Sequence, residues 1–204
     1  MGATTVEVYA LPGYPTATIL GYATDALARE RALAGPYPYA TFRVAQSAGG
    51  DGMEGPQTVW IPGGLSGRQL HWLVYHETAH QWFFGIVGSD QANQPFADEA
   101  MADHLARTAS GLWRVSTCAT ARLDLSIYRY SSACYFEDIY VQGSLLLDQV
   151  RKAMGADAYW RAIRAYVATY RVGIGSTRSL LRVLQAHTTV DLTPILAPRF
   201  PSLY

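Results

Sequence analysis

The sequence predicts an α+β fold of one domain, and three observations lead to this prediction. The chain has 204 residues, half of them apolar, which is enough to fill one compact core. Alternating, β-branched segments are confined to its first third, whereas helical periodicity punctuated by glycine dominates its second half. An order of strands first and helices later is typical of α+β folds.

The first 65 residues are expected to hold most of the strands and one helix. Strands are predicted over 4–11, 40–46 and 57–62, where β-branched and aromatic residues alternate with others. A helix is predicted over 23–35, because its periodic pattern stops at a glycine. The Gly-rich segment SAGGDGMEG separates the second and third strands.

The rest of the chain, 66–204, is expected to be mostly helical. Gly85 ends the first of these helices, and Pro95 opens the next one. The predicted helices cover 67–84, 95–110, 139–154, 156–171, 177–187 and 193–197. No internal repeat or linker interrupts the pattern, so the sequence predicts a single domain over 1–204.

Composition excludes several classes of protein. Sixteen basic and sixteen acidic residues give no net charge, and no basic run is present, so a nucleic-acid partner is not expected. No apolar stretch is long enough for a membrane segment, and the N-terminus lacks a signal-peptide pattern. Cys118 and Cys134 lack metal-knuckle spacing; free thiols are favoured, with a disulfide as the alternative. Localisation is left open.

The stretch VYHETAHQWFFG contains the strongest chemical signal in the chain. His76 and His80 are four residues apart, so on a helix their rings lie on one face and point to a common spot. Two neutral imidazoles at one spot suit zinc. Glu77 lies beside that spot and is placed to accept a proton from a water. This H-E-x-x-H pattern predicts a zinc hydrolase if a third ligand is available.

The next predicted helix supplies that ligand in PFADEAMADHLA. Glu99 follows His80 by a gap that suits a loop and the start of a packed helix, and two histidines with one carboxylate leave a position free for water. Asp103 shares the face of Glu99 and is expected to accept a hydrogen bond from the ring N–H of a zinc-bound histidine. A surface charge is the alternative for Asp103.

The remaining histidines and the aromatic residues near the pattern are expected to be structural. His71, His104 and His187 point away from the predicted metal or lie at a helix end. An aromatic stripe at helical spacing usually packs a helix into the core rather than lining a binding site. The residues to which this expectation applies are Trp72, Trp82, Phe83 and Phe84.

Taken together, these motifs resemble the gluzincin metallopeptidases, and more narrowly the M1 zinc aminopeptidases typified by aminopeptidase N. HETAHQW followed by Glu99 resembles the zinc motif of that family, and GMEGP resembles its Gly-x-Met-Glu-Asn exopeptidase motif. FADEAMADHLA and IYVQG resemble its W-L-N/D-E-G-x-A-x-Y and Y-x-K-G segments. The resemblance implies a thermolysin-like catalytic domain, with a small mixed sheet over a mostly helical lobe and one Zn²⁺ in the cleft.

The resemblance also implies a role for individual residues. His76, His80 and Glu99 would hold zinc, and a zinc-activated water would hydrolyse the peptide with Glu77 as general base. Tyr140 would stabilise the oxyanion.

At the substrate end, Glu54 would bind the free α-amine of a peptide, with Gly52 and Met53 lining that edge of the cleft. The implied activity is therefore removal of N-terminal residues from peptides.

Departures from the family pattern keep two alternatives open. Gly55 replaces the Asn of the exopeptidase motif and Gln142 replaces the Lys of Y-x-K-G, so an endopeptidase on the same scaffold is one alternative. A non-catalytic, zinc-containing binding domain is the other. The family's β-rich domain before this region and helical domain after it are absent from this sequence. We therefore expect a catalytic domain whose partners include flanking domains of a longer native protein.

Overall fold

A computed structural model describes residues 4–204, and a four-stranded sheet forms one layer of this part of the chain. Its strands are β1 (Thr5–Tyr9), β2 (Thr41–Ser47), β3 (Met53–Gly55) and β4 (Thr58–Pro62). The strand order is β1-β2-β4-β3, with the first three parallel and β3 antiparallel to β4 at the edge. The expected small mixed sheet is present, and β3 adds a short strand inside the Gly-rich segment.

Helix α1 (Thr16–Ala34) connects the parallel strands β1 and β2 and packs against the sheet. It begins at Thr16 rather than at residue 23, directly after Pro15. Ile19 explains the longer helix, because its side chain is fully buried and fixes the additional turn against the core.

Helix α2 (Gly67–Ala79) carries the H-E-x-x-H pattern between α1 and α3 (Glu99–Ser110) and packs under β3 and β4. It ends at Ala79 rather than at residue 84. The ring of His80 turns back to the carbonyl of Phe83, with Nδ1 and the oxygen 3.1 Å apart, and the backbone leaves the helical conformation. A short 3₁₀ turn over Pro95–Ala97 precedes α3.

The later part of the chain is helical, as predicted. Its elements are a 3₁₀ turn at Ile127–Arg129, a π-helical turn at Glu137–Gln142, α4 (Gly143–Met154), α5 (Ala156–Tyr170), α6 (Thr177–Ala186) and α7 (Thr193–Leu196). Two short strands, β5 (Val87–Gly88) and β6 (Gly173–Ile174), pair in parallel. No helix among residues 4–204 combines the length and the apolar character that crossing a membrane requires.

Two expectations about single residues are wrong. Cys118 and Cys134 form a disulfide, with Cα atoms 6.0 Å apart, so the favoured free-thiol interpretation fails and its alternative holds. The residues between them form a loop whose only regular element among the described residues is the 3₁₀ turn at Ile127–Arg129, and the sequence contains no signal for that proximity.

The expectation that the aromatic residues near the H-E-x-x-H pattern pack into the core is only half correct. Trp82 and Phe83 are buried in the core, whereas Trp72 and Phe84 are only partly buried. Trp72 lines the cavity next to His76, because its ring stacks on that histidine and its Nε1–H donates to Asp103 over 2.8 Å.

Candidate metal centre and active site

Three ligand atoms converge above the C-terminal end of α2. His76 Nε2 and His80 Nε2 are 3.1 Å apart, and Glu99 Oε2 is 3.3 Å and 3.2 Å from them. The helical spacing brings the two histidines together, and the first residue of α3 brings Glu99 to the same point. Both rings are buried, and Glu99 Oε2 makes no hydrogen bond within the described chain.

The three atoms fit a divalent metal ion of the zinc class. Ligands at about 2.0–2.1 Å in tetrahedral geometry stand roughly 3.3 Å from one another, which matches the separations found here. Two nitrogen donors and one carboxylate oxygen with no other partner are also the donor set of a catalytic zinc site with an open position. Among residues 4–204, a second candidate group is formed by Glu54, His80 and Asp98, and it shares His80 with the first.

Asp98 orients the ring of His80. Its Oδ1 lies 2.9 Å from His80 Nδ1, while Ser89 Oγ donates to its other oxygen over 2.5 Å. This contact places the proton on Nδ1 and leaves the Nε2 lone pair free for a metal. Burial by itself would lower the pKa of His80, but the carboxylates of Glu99 and Asp98 outweigh it and raise that pKa well above its usual value.

Asp103 does not make the expected hydrogen bond to a histidine ring. Its Oδ1 is 3.7 Å from His76 Nδ1, too far for a hydrogen bond. The carboxylate is already engaged by Trp72 Nε1 and by an ion pair with Arg107. His76 is held instead by stacking between Trp72 and Tyr140, whose ring centroids both lie 5.2 Å from its own.

Glu77 lies next to the metal ligands and is almost fully buried. Its Oε2 makes no hydrogen bond in the described residues. Burial raises the pKa of Glu77 to about 7, although the neighbouring His76 and His80 act in the opposite direction. A carboxylate without a partner and with a pKa near neutrality is suited to accept and return a proton.

The edge strand β3 forms the wall opposite α2. Glu54 faces the cavity and accepts a hydrogen bond from Gln91 Nε2. Gly52 lies so close to Glu77 that any side chain there would collide with its carboxylate. Met53 does not line the cleft as expected: it is 60% exposed, because neighbouring side chains on a strand point to opposite faces.

Tyr140 lies in the π-helical turn Glu137–Gln142 just before α4. This turn widens the helix where Tyr140 packs on His76, a kind of irregularity that is frequent at functional sites. Burial and the nearby Glu99 carboxylate raise the pKa of Tyr140, so the phenol keeps its proton as a hydrogen-bond donor.

Three polar residues that were not predicted from the sequence to support this site do so: Asp98, Gln81 and Gln142. Asp98 was overlooked because it directly precedes a stronger candidate. Gln81 is fully buried; its side-chain oxygen accepts from Gln57 N over 2.8 Å and its amide donates to Gly55 O over 3.0 Å, which fixes the β3–β4 turn to the end of α2. Its position beside the H-E-x-x-H pattern was the only available signal.

Gln142, which stands where the family has Lys, has a structural role. Its amide donates to Ala119 O over 2.8 Å and its oxygen accepts from Arg199 Nη2 over 2.7 Å. It therefore attaches the loop containing Cys118 to the helix that carries Tyr140.

The three candidate metal ligands border one cavity of about 260 Å³ between the sheet and the helices. Glu54 and Gly52 lie on its strand side, and Trp72, Glu77 and Tyr140 lie on its helical side. The cavity therefore combines a metal-type donor set, an unpartnered carboxylate and a phenol within reach of one small ligand.

No protein-family model and no curated protein matches this sequence. Its fold, in contrast, is similar to that of solved metallopeptidases. An M1 zinc metallopeptidase from Deinococcus radiodurans matches 97% of this chain with a TM-score of 0.77 at 20% identity. A form of that protein bound to a Tyr-Ser-Ala substrate matches 92% with a TM-score of 0.65 at 21% identity. Native yeast LTA4 hydrolase matches 93% with a TM-score of 0.68 at 16% identity.

The chain therefore has the mixed α/β fold of the M1 zinc metallopeptidases. It spans about half the length of the solved chains that it matches, with 48% of the Deinococcus protein and 37% of the yeast protein covered.

Proposed function

We propose that this chain is the catalytic domain of a zinc-dependent aminopeptidase. The observation that carries the proposal is the convergence of His76 Nε2, His80 Nε2 and Glu99 Oε2 next to Glu77. The fold similarity to M1 zinc metallopeptidases supports the same class of chemistry. One zinc ion per chain is proposed at the three ligands, and peptides are the proposed substrates.

The chemistry divides among the residues of the cavity. When bound, zinc would polarise the scissile carbonyl and lower the pKa of a water molecule towards about 7. Glu77 accepts the proton of the attacking water and passes it to the leaving amine. The O–H of Tyr140 donates to the carbonyl oxygen as negative charge develops there.

Glu54 gives the proposed reaction its direction along the peptide. Its carboxylate faces the cavity close to His80, and a free α-ammonium group there forms a charge-assisted hydrogen bond. An N-acetylated peptide lacks that charge and leaves the partly buried carboxylate without a cationic partner. Gln91 holds Glu54 in place by donating a hydrogen bond to it, whereas Gly55 offers no side chain to align the substrate backbone.

The test is mass spectrometry of a mixed peptide set incubated with the zinc-loaded protein. Each peptide is supplied in a free and in an N-acetylated form, and Glu77→Gln is the control. The proposal expects stepwise loss of N-terminal residues from the free peptides only, and none with the variant. Internal cleavage of both forms would replace the aminopeptidase by an endopeptidase. Zinc binding without cleavage would favour a binding domain or a need for flanking domains, which the full-length native protein would distinguish.

A further inference from the structure

A second cavity of about 350 Å³ adjoins the candidate active site. The two share Gln69, Trp72 and Phe136 in their walls, so they lie side by side. Unlike the first cavity, the second has no carboxylate in its lining. Its charged lining residues are Arg68, Arg107 and Arg114.

The second cavity lies on the side where a cleaved peptide would continue. Glu54, the proposed amine-binding group, lies near His80 at the C-terminal end of α2. Trp72 and Gln69 lie one and two turns before His76, towards the N-terminal end of that helix. A peptide with its amine at Glu54 therefore extends past the metal ligands towards Trp72 and into the second cavity.

Only one of the three arginines is free to bind an anion. Arg107 is paired with Asp103, and Arg114 is paired with Glu137. In the part of the chain that the structure describes, no carboxylate lies within ion-pair distance of Arg68. Its Nη2 donates to a backbone carbonyl over 3.0 Å, which leaves further N–H donors of the guanidinium available.

We propose that Arg68 binds a carboxylate of the leaving part of the peptide, an inference that rests on the proposed function. The charge is unopposed, and the apolar side chains of Trp72 and Phe136 flank the path to it. Arg68 is eight residues before His76, which corresponds to about 12 Å along α2. An extended peptide covers roughly 3.3 Å per residue, so the carboxylate is expected three or four residues beyond the cleaved bond.

Two sources supply such a carboxylate: the α-carboxylate of a tetrapeptide or pentapeptide, and an acidic side chain at that position of a longer peptide. The first source makes the protein selective for short peptides, and the second makes it selective for sequence. Arg68 can bind a carboxylate from either source, and peptides with amidated C-termini distinguish the two sources.

The first measurement is kcat/KM of the zinc-loaded protein for tetra-alanine with a free C-terminus and with a C-terminal amide. We expect the free acid to be cleaved about fivefold to tenfold more efficiently, which is the effect of one charge-assisted contact. Arg68→Gln should abolish this ratio, and Arg68→Lys should keep part of it. Arg161→Gln, an exposed arginine on α5 far along the chain, should keep the full ratio.

A second pair of peptides, Ala-Ala-Ala-Asp-amide and Ala-Ala-Ala-Asn-amide, tests the acidic side chain. A preference for aspartate that disappears in Arg68→Gln supports the side chain as an additional source. No preference here, with a preference for the free acid in the first pair, supports the α-carboxylate alone.

Calorimetric binding to the Glu77→Gln variant separates this inference from the proposed function. Tighter binding of the free acid than of the amide, lost on adding Arg68→Gln, supports the subsite even if no peptide is cleaved. Equal Kd values for acid and amide would overturn the inference whether or not the protein is a peptidase. A ratio that survives Arg68→Gln would overturn the assignment to Arg68.

Discussion

Two buried histidines, His80 and His104, show how differently this fold uses the same side chain. His80 lies between the carboxylates of Asp98 and Glu99, and these raise its pKa well above the usual value. His104 lies among aromatic rings, stacked on Trp160 at 5.7 Å, with Nδ1 3.2 Å from the carbonyl of Ser144. Burial lowers the pKa of His104 to about 3, although Asp148 acts against it.

The difference lies in the neighbouring charges, because both rings are removed from water to the same degree. An imidazole next to two carboxylates, with its Nε2 facing a second imidazole, lies in an environment that favours a positive charge, whether a proton or a metal cation. An imidazole in an aromatic enclosure stays neutral and fills space. Burial therefore does not identify a functional histidine, whereas the partners of its two nitrogens do.

The same contrast between a functional and a structural buried residue applies to two carboxylates, and the largest effect on activity is expected there. Glu77 and Glu30 are both buried, and each has oxygen atoms without a hydrogen bond in the described residues. Glu77→Gln should lower kcat/KM for peptides about a thousandfold, since it removes the general base. Steady-state kinetics on the zinc-loaded variant measures this loss.

Glu30→Gln is the matched control for that variant. Burial raises the pKa of Glu30 well above its usual value, so a neutral amide resembles its uncharged form. We expect its activity to stay within about threefold of wild type. Similar losses in the two variants would contradict the distinction between them.

Zinc affinity tests the two histidines directly. His80→Ala should weaken zinc binding by more than about a hundredfold, because one of three protein ligands is lost. His104→Phe should change it little, since the enclosure of that ring contains no metal ligand. Competition with a chelator measures both affinities, and circular dichroism verifies that the variants fold. Equal losses would refute the contrast.

The disulfide lies between the two environments in the sequence: Trp113, five residues before Cys118, packs against His104, and Phe136, two residues after Cys134, lines the cleft. The sequence separation of Cys118 and Cys134 is 16 residues. Replacing both with Ser should lower the free energy of unfolding by about 3 kcal/mol, chiefly by releasing the unfolded chain. Chemical denaturation measures the change, and a reductant should affect only the wild type.

Acid should act on His104 in a predictable direction. In the unfolded chain this ring binds a proton below about pH 6.5, whereas in the folded protein it does so only near pH 3. Its contribution to stability is therefore complete above pH 6.5 and is lost as the pH falls, by about 2 kcal/mol at pH 5. Denaturation of wild type and His104→Phe at pH 7 and pH 5 should show a smaller decrease in the variant. Equal decreases would count against a neutral buried ring.

The smallest expected effect is the difference in zinc affinity between variants of the two aspartates near the metal ligands. Asp98→Asn should weaken zinc binding about tenfold, because Asp98 orients His80 over 2.9 Å. Asp103→Asn should have less effect on zinc, since Asp103 is 3.7 Å from His76 and mainly supports Arg107 and Trp72. A larger effect at Asp103 would reverse these roles.

The helical part of the fold and the convergence at α2 could be predicted from local patterns. Spacing alone brings His76 and His80 to one helix face, and glycine and proline signals gave most helix ends. The position of Glu99 needed a second argument, because a lone carboxylate at the start of a helix has no distinctive pattern. Sequence spacing could not assign different roles to Asp98 and Glu99, which are adjacent. The side chain of Asp98 is turned towards His80 only by the direction of the chain before α3.

Tertiary contacts explain the predictions that were wrong. The Cys118–Cys134 pairing depends on a loop that Gln142 attaches to the following helix. Trp72 follows the periodicity of a core residue, but the neighbouring helix supplies Asp103 as an acceptor and leaves the ring facing the cleft. Such contacts between distant segments leave no local periodicity in the sequence.

The most direct test of the account is a crystal structure of the zinc-loaded Glu77→Gln protein with anomalous scattering recorded at the zinc edge. The account predicts one anomalous peak per chain, within bonding distance of His76 Nε2, His80 Nε2 and Glu99 Oε2. A peak among Glu54, His80 and Asp98 instead, or no peak near α2, would contradict it.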